Sequence, residues 1–247
     1  MKVLKGNYGE CRFCDNIDTD YGLPSLKEKS WDLCLTDPPY GINYKDKHER
    51  HNSIHYNDSE LKPEWLNVAL LKAKGVYFTC GVTNLFNWVI WQKPNYTLRG
   101  FYYPDAGGYF HLDYLLGYGY IPNITKLRDM SIQKTHKYDG FKHPDPKPLG
   151  SWNYILNKLE PTSVLDPFLG SGTTAQVCEH LGIPWLGYEI MEEYAPDIEK
   201  RIKKGIVEHS RYNPPKKRSQ LSLESFQERI HTVSNGRGGS RDEGSQG

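Results

Sequence analysis

Two short stretches hold residue types whose spacing could do chemistry. In LTDPPYGINYKD (35–46) the apolar run WDLCLT meets an acid, two prolines and an aromatic ring, at Asp37, Pro38, Pro39 and Tyr40. Proline fixes φ and offers no N–H to a ladder, so the two prolines end any strand they follow. Asp is also a common turn residue, and the tetrapeptide alone is compatible with a rigid turn. Whether Asp37 is a working carboxylate depends on what the rest of the chain places beside it.

The second stretch is VLDPFLGSGTTAQVCEHLGIPWLGYEI (164–190). A strand delivers Asp166, and the loop PFLGSGTT then opens into a helix. Gly170 and Gly172 let the backbone turn tightly and let a ligand come close. The first turn of a helix presents unpaired N–H groups and a positive dipole end suited to a carboxylate. Ser171, Thr173 or Thr174 could cap it. The next strand ends in Glu189, where an acid can accept hydrogen bonds from ribose hydroxyls. The loop has neither the G-x-G-x-x-G spacing of dinucleotide binders nor the G-K-[ST] of a P-loop, so NAD and ATP are poor candidates.

The elements that must position these residues follow from the apolar pattern. Runs at 31–36, 75–80, 162–168 and 184–190 are short, apolar and bounded by turn or polar residues, as buried parallel strands are. GTTAQVCEHLGI suits a helix stopped by Gly182, and PLGSWNYILNKLE suits another. EEYAPDIEKRIKKGI predicts a helix kinked at Pro196. The aromatic alternation over 90–120 predicts antiparallel strands added to the sheet. Strands alternating with helices predict an α/β fold, a doubly wound, mostly parallel Rossmann-like sheet with helices on both faces. One domain spans 1–212, with halves at about 1–117 and 143–212 around an insertion at about 118–142. Residues 213–247 read as a polar, Gly/Ser-rich, disordered tail.

Bulk properties narrow the class. The chain has 247 residues and a net charge of +1, enough for one core and no general attraction to polyanions. Charge is nevertheless clustered. Between Tyr118 and Lys147 lie six Lys or Arg against three Asp, and KDKHERH (45–51) adds a second basic group. His48, His51 and His55 fall in that mobile-looking loop and lack the carboxylates of a metal site. Cys11 and Cys14 have ligand spacing without a second pair, so all five cysteines are expected as reduced thiols. No apolar run approaches a membrane span and the N-terminus lacks a signal-peptide core, which predicts a soluble, cytoplasmic protein.

DPPY followed later by DPFLGSGTT resembles the amino-group DNA methyltransferases, which use S-adenosylmethionine to make N6-methyladenine or N4-methylcytosine. The order, DPPY first, is similar to the permuted β group of that family, and IWQKPN, LDYLLGYGY and HPDPKP add to the likeness. The resemblance implies that a flipped base enters the DPPY loop. Asp37 and the carbonyl of Pro38 would accept its amino hydrogens, Pro39 would hold Pro38 extended, and Tyr40 would stack on the ring. It implies that Asp166, Phe168, Gly170, Ser171, Gly172 and Thr173 surround the cofactor, with Glu189 on its ribose and Lys147 helping to form the pocket. Glu10, standing where the family usually has Asp, would reach the cofactor adenine, and Asp145-Pro146 stand where it usually has Thr-Gln. Asp37 favours adenine, since cytosine-N4 enzymes more often carry Ser there.

DNA contacts would come from Lys45, Lys47, Arg50, Lys126, Arg128, Lys134 and Lys137. A reader confined to about 119–142 implies a short recognition sequence or a homodimer, and a cognate restriction endonuclease is the partner such an enzyme would have. The rival reading is a nucleic-acid-binding protein that keeps the fold without turnover. A dehydrogenase is a distant third, disfavoured by the glycine spacing.

Overall fold

The fold is taken from a computed structural model that describes residues 1–43, 57–96, 99–104, 110–128, 130–131, 141–144 and 146–204. Strand β1 (Lys2–Lys5) pairs antiparallel with β2 (Gly9–Phe13), and β3 (Trp31–Thr36) is buried at every position. After α1 (Glu64–Lys72) come β4 (Ala73–Cys80) and α2 (Leu85–Trp91). Strands β5 (Arg99–Pro104), β6 (Phe110–Gly119) and β7 (Met130–Ser131) follow. The last part of the described chain is α3 (Leu149–Leu159), β8 (Val164–Asp166), α4 (Thr173–Leu181), β9 (Trp185–Glu189) and α5 (Ala195–Lys204).

The nine described strands form one sheet in the order β1-β2-β9-β8-β3-β4-β6-β5-β7. Its centre is parallel, from β2 through β9, β8 and β3 to β4. The β5–β6 hairpin is antiparallel and joins through β6 to β4, as the aromatic alternation implied. An all-buried strand such as β3 requires cover on both faces. One face is packed by Ile155 and Leu156 of α3, Val177 of α4 and Ile198 of α5. The other is packed by Trp65 and Leu66 of α1 and Trp88 of α2.

This connectivity creates the crevice. From β3 the chain passes through α1 on one face to β4, while from β8 it passes through α4 on the opposite face to β9. β3 and β8 are neighbours, with Cys34 level with Leu165, so the two crossovers part between their carboxyl ends. Ligands of open α/β sheets bind at such a switch point. Both sequence motifs begin there, at Asp37 and Asp166.

Several expectations need adjustment. The strand expected over 162–168 is only Val164–Asp166, because Pro161 and Pro167 flank it and neither can donate to a ladder. The kink expected at Pro196 is absent. Pro196 is the second residue of α5, in a first turn whose N–H has no helical partner, and a 3-10 turn at Glu192–Tyr194 leads in. The strands β1 and β2 and the helices α1 and α2 were not read from the sequence. All five cysteines are free, with Cys11 buried alongside Cys34, Cys80 and Cys178. No described helix is long and apolar enough to cross a membrane. Residues 213–247 and the cluster 45–51 lie outside the described residues.

Candidate active site

Directly after β3, the Asp37 side chain keeps 22 % exposure on a cavity of about 460 Å³. Its Oδ1 accepts the Tyr40 hydroxyl at 2.8 Å and the hydroxyl of Thr79, from β4. Its Oδ2 lies 3.3 Å from Lys147 Nζ. The same ammonium stands 3.5 Å from Asp113 Oδ2, donates to the Tyr40 hydroxyl at 3.2 Å, and lies 5.0 Å from the centre of that ring. Burial pushes the Asp37 carboxyl up from the usual range and Asp113 adds to this, while Lys147 and the two hydroxyls oppose it.

The loop is held from outside the cavity. The Tyr40 carbonyl accepts Asn84 Nδ2, and the Tyr40 ring packs so closely on Gly81 that a Cβ there would sit 2.9 Å from it. Gly41 has φ +67°, and its N–H donates to the buried carboxylate of Asp58. A left-handed residue directly after the aromatic turns the chain away, and only glycine does this without strain. Pro38 is buried, and Pro39 lines the cavity.

The other wall comes from β8, β9 and α4. Asp166 is buried at the end of β8, where its Oδ1 accepts the Thr36 hydroxyl and the Phe168 N–H at 3.0 Å. Burial lifts its carboxyl to about 6, against donation from Thr174 and Thr36. Glu189, at the end of β9, accepts the Gly170 N–H at 2.7 Å and the Met191 N–H at 2.8 Å. Burial lifts it to about 7 despite those donors. Gly170 and Gly172 have φ +55° and +86°, which lets the loop fold over the helix start. Ser171 and Thr173 are buried in that turn and line the cavity with Phe168.

The cavity therefore brings together Asp37, Pro39, Lys147, Asp166, Phe168, Gly170, Ser171, Thr173 and Glu189. Lys147 was expected on the cofactor side; the structure sets its ammonium against Asp37 and Asp113, while its carbonyl accepts the Thr173 hydroxyl at 3.2 Å. Glu10 is not among the lining residues, and its Oε1 accepts Arg12 Nε at 2.9 Å. The strand carrying it instead delivers Cys14, Asp15, Asn16 and Ile17 to the rim. Asn16 Nδ2 donates to the Pro167 carbonyl at 3.1 Å, joining that rim to the glycine loop.

Two candidate DNA contacts are described, and they lie elsewhere. Lys126 Nζ is 3.5 Å from Glu160, the residue that caps the C-terminal end of α3. The opposite end of α3 borders the cavity through Trp152. Arg128 donates to the Thr125 carbonyl at 2.8 Å, and its N–H donates to Tyr154 of the same helix. Lys45, Lys47, Arg50, Lys134 and Lys137 lie outside the described residues.

Some site residues escaped the sequence reading. Thr36 and Thr79 are ordinary strand residues until the sheet sets them beside Asp166 and Asp37. Trp65, 3 % exposed, supports Phe168 edge-on at 5.3 Å. His143 lines the cavity over Gly170, its ring 4.9 Å from Tyr194. Asp113 did leave a trace: it is a lone acid within FHLDYLL, an otherwise apolar and aromatic strand.

The chain is similar to known DNA methyltransferases. The family model for N6/N4 methyltransferases, described as DNA methylase, matches residues 83–200. The type II methyltransferase M2.LlaDCHI of Lactococcus lactis subsp. cremoris is 24% identical over 238 residues, covering 75% of this chain and 87% of its own. The crystal structure of the M1.HpyAVI–SAM complex superposes with a TM-score of 0.57 at 22% identity, covering 78% of this chain and 99% of that one. The cytosine-N4-specific PvuII DNA methyltransferase gives a TM-score of 0.57 at 14% identity, covering 92% and 93%. At these identities the two structures speak for the fold.

Proposed function

From the match of residues 83–200 to the DNA methylase family model, we propose that the chain is an N6/N4 DNA methyltransferase and transfers a methyl group from S-adenosylmethionine to the N6 amino group of a flipped adenine in DNA. The observation that carries this reading is the meeting of Asp37 and Asp166 at the ends of neighbouring strands β3 and β8, on one cavity. A donor bound by one loop and an acceptor bound by the other would face each other there.

The residues present fit this cofactor. A cavity of about 460 Å³ lies within the range of small-molecule sites, roughly 300–1,000 Å³. Asp166 and Glu189 are buried acids that suit a ligand with cationic and hydroxyl groups and oppose a polyphosphate. Glu189 would hold the ribose hydroxyls. The turn at Gly170–Thr173 would receive the carboxylate at the start of α4. When bound, the cofactor supplies an electrophilic methyl group on a sulfonium.

The protein's task is to make an amide-like amine nucleophilic. Asp37 Oδ1 is engaged by Tyr40 and Thr79, and Oδ2, 3.3 Å from the Lys147 ammonium, has a second lone pair for the incoming amino group. Asp37 and the Pro38 carbonyl accept its two hydrogens and draw the nitrogen toward tetrahedral geometry. Because Thr79, Tyr40 and Lys147 fix the carboxylate beforehand, it does not reorient as charge develops. Asp37 then takes the proton that the methylated nitrogen releases. Tyr40 would stack on the base, and its ring is held in place by close packing on Gly81.

Adenine is favoured over cytosine because the position heading the motif is a carboxylate. The fold does not bear on this choice. Single-molecule modified-base sequencing of DNA from cells expressing the protein, beside cells expressing Asp37→Ala, tests the whole reading. An N6-methyladenine mark in one short motif, lost in the variant, is expected. A mark on cytosine would overturn the base assignment, and no mark in either culture would favour the non-catalytic binder.

A further inference from the structure

Lys147 lies between two carboxylates, 3.3 Å from Asp37 and 3.5 Å from Asp113. Both side chains and the ammonium are nearly or largely buried, with 22 %, 11 % and 9 % exposure. Two carboxylates and one ammonium give this group a net charge of −1. A buried ion pair is neutral, and a buried cation facing a neutral acid is costly. A second carboxylate beside one ammonium suits a site whose first carboxylate is neutralised during the reaction.

We propose that Asp113 is a positioning residue for methyl transfer: it holds Lys147 beside Asp37, so that the group passes from a net charge of −1 to neutrality when Asp37 accepts the proton. This rests on the reading that Asp37 receives the amino group. As the nitrogen–carbon bond forms, the methyl–sulfur bond breaks and its electron pair stays on sulfur. The nitrogen becomes positive and gives its proton to Asp37 Oδ2. Asp37 is then uncharged, and Asp113 remains to balance Lys147. Without Asp113 the same step would leave the Lys147 ammonium facing neither of these two carboxylates as an anion.

Asp113 also locates the cation. Lys147 on Asp37 alone would be drawn onto Oδ2, the oxygen the amino group needs. Held also by Asp113 at 3.5 Å and over the Tyr40 ring, it is shared between the two carboxylates, and a carboxylate oxygen has a second lone pair for the amino group. Among the described residues, Thr79 and Tyr40 also donate to Asp37, and the Asp37 charge in turn raises the carboxyl of Asp166 and the thiol of Cys80. Among them, Lys147 and Asp113 are the adjacent pair of opposite charge, so removing each should move Asp37 in opposite directions.

The test uses the full chain with Asp113→Asn, Asp113→Glu and Lys147→Gln. The Asp37 carboxyl carbon is titrated by NMR without cofactor or DNA, assigned by its absence in Asp37→Asn. Its midpoint should fall by roughly one pH unit in Asp113→Asn and rise in Lys147→Gln. Turnover on unmethylated plasmid DNA with radiolabelled cofactor should fall tenfold or more in Asp113→Asn, with the acid limb displaced alike. Asp113→Glu should restore both. A residue with only a packing role would lower turnover and thermal stability without moving the midpoint. An unmoved midpoint in both neutral variants overturns the inference, as does wild-type turnover in Asp113→Asn. If the wild-type protein transfers no methyl group, the functional reading fails, while the midpoints still decide whether the charge is shared.

Discussion

The hydroxyl of Thr36 donates to Asp166 Oδ1, tying the last residue of β3 to the last residue of β8. Each residue adjoins a motif, so the base-side and cofactor-side loops share one buried hydrogen bond. Thr36→Val keeps the shape and removes the donor. Asp166, already lifted to about 6 by burial, then loses one of the bonds that favour its charged form. Cofactor affinity should fall about fivefold, for a cost of roughly 1 kcal/mol. Titration calorimetry measures it, and Thr36→Ser should recover most of the loss.

Glu189 makes cofactor binding and folding depend on pH in opposite senses. Its carboxyl is lifted to about 7 by burial, against about 4.3 in an unfolded chain. The folded state holds this proton more tightly, so its contribution to stability is complete below about pH 4.3 and is lost as pH rises through about 7. In the proposed site ribose hydroxyls would donate to the ionised carboxylate, so binding would have to expel the proton at lower pH. Affinity should weaken by up to about tenfold per unit as pH falls below about 7. In Glu189→Gln the weaker remaining affinity should lose that limb, leaving only the Asp166 limb near 6. An unchanged profile in the variant would remove Glu189 from the ribose site.

The central fold was legible because its strands are buried on both faces and bounded by breakers. WDLCLT is β3 residue for residue, and Gly182 does stop α4, with φ +67°. Helices α1 and α2 were hidden because EWLNVALLK and LFNWVIW are short and do not separate cleanly into apolar and polar faces. Asp37, Asp166 and Glu189 could be named because each is an acid at the end of an apolar run. Thr36, Thr79 and Asp113 could not be assigned a role, since their significance is a distance across the sheet. Lys147 was marked as a pocket residue by its resemblance to a known segment, but its ion pairs join it to Asp37, just after β3, and Asp113, on β6, which only the folded sheet brings together.

Gly172 tests the turn at the start of α4. With φ +86°, it adopts a conformation that costs an L residue about 1–2 kcal/mol. A Cβ there would also lie 3.1 Å from Ile198 Cα, a backbone atom of α5 that cannot swing aside. Gly172→Ala should lower stability by about that amount and weaken cofactor binding moderately. Gly172→Asp adds a negative charge where the cofactor carboxylate is expected, and binding should disappear from calorimetric titration while the folded signal in circular dichroism survives. Equal affinity in both variants would argue that charge at this turn is irrelevant.

Trp65 links the stability of one sheet face to the cofactor wall. Its ring meets Phe78 at 5.2 Å, Trp88 at 6.1 Å and Phe168 at 5.3 Å, all edge-on, and only 3 % of the residue is exposed. Edge-to-face contacts of this kind add to the burial of a large apolar surface. Trp65→Ala should therefore cost about 3–5 kcal/mol in denaturant unfolding. Phe168 would lose the ring it leans on, so cofactor affinity should drop even at temperatures where the variant is fully folded. Trp65→Phe keeps an aromatic edge and should lose less of both. A variant that loses stability and keeps full affinity would show that Phe168 is held in place by the glycine loop alone.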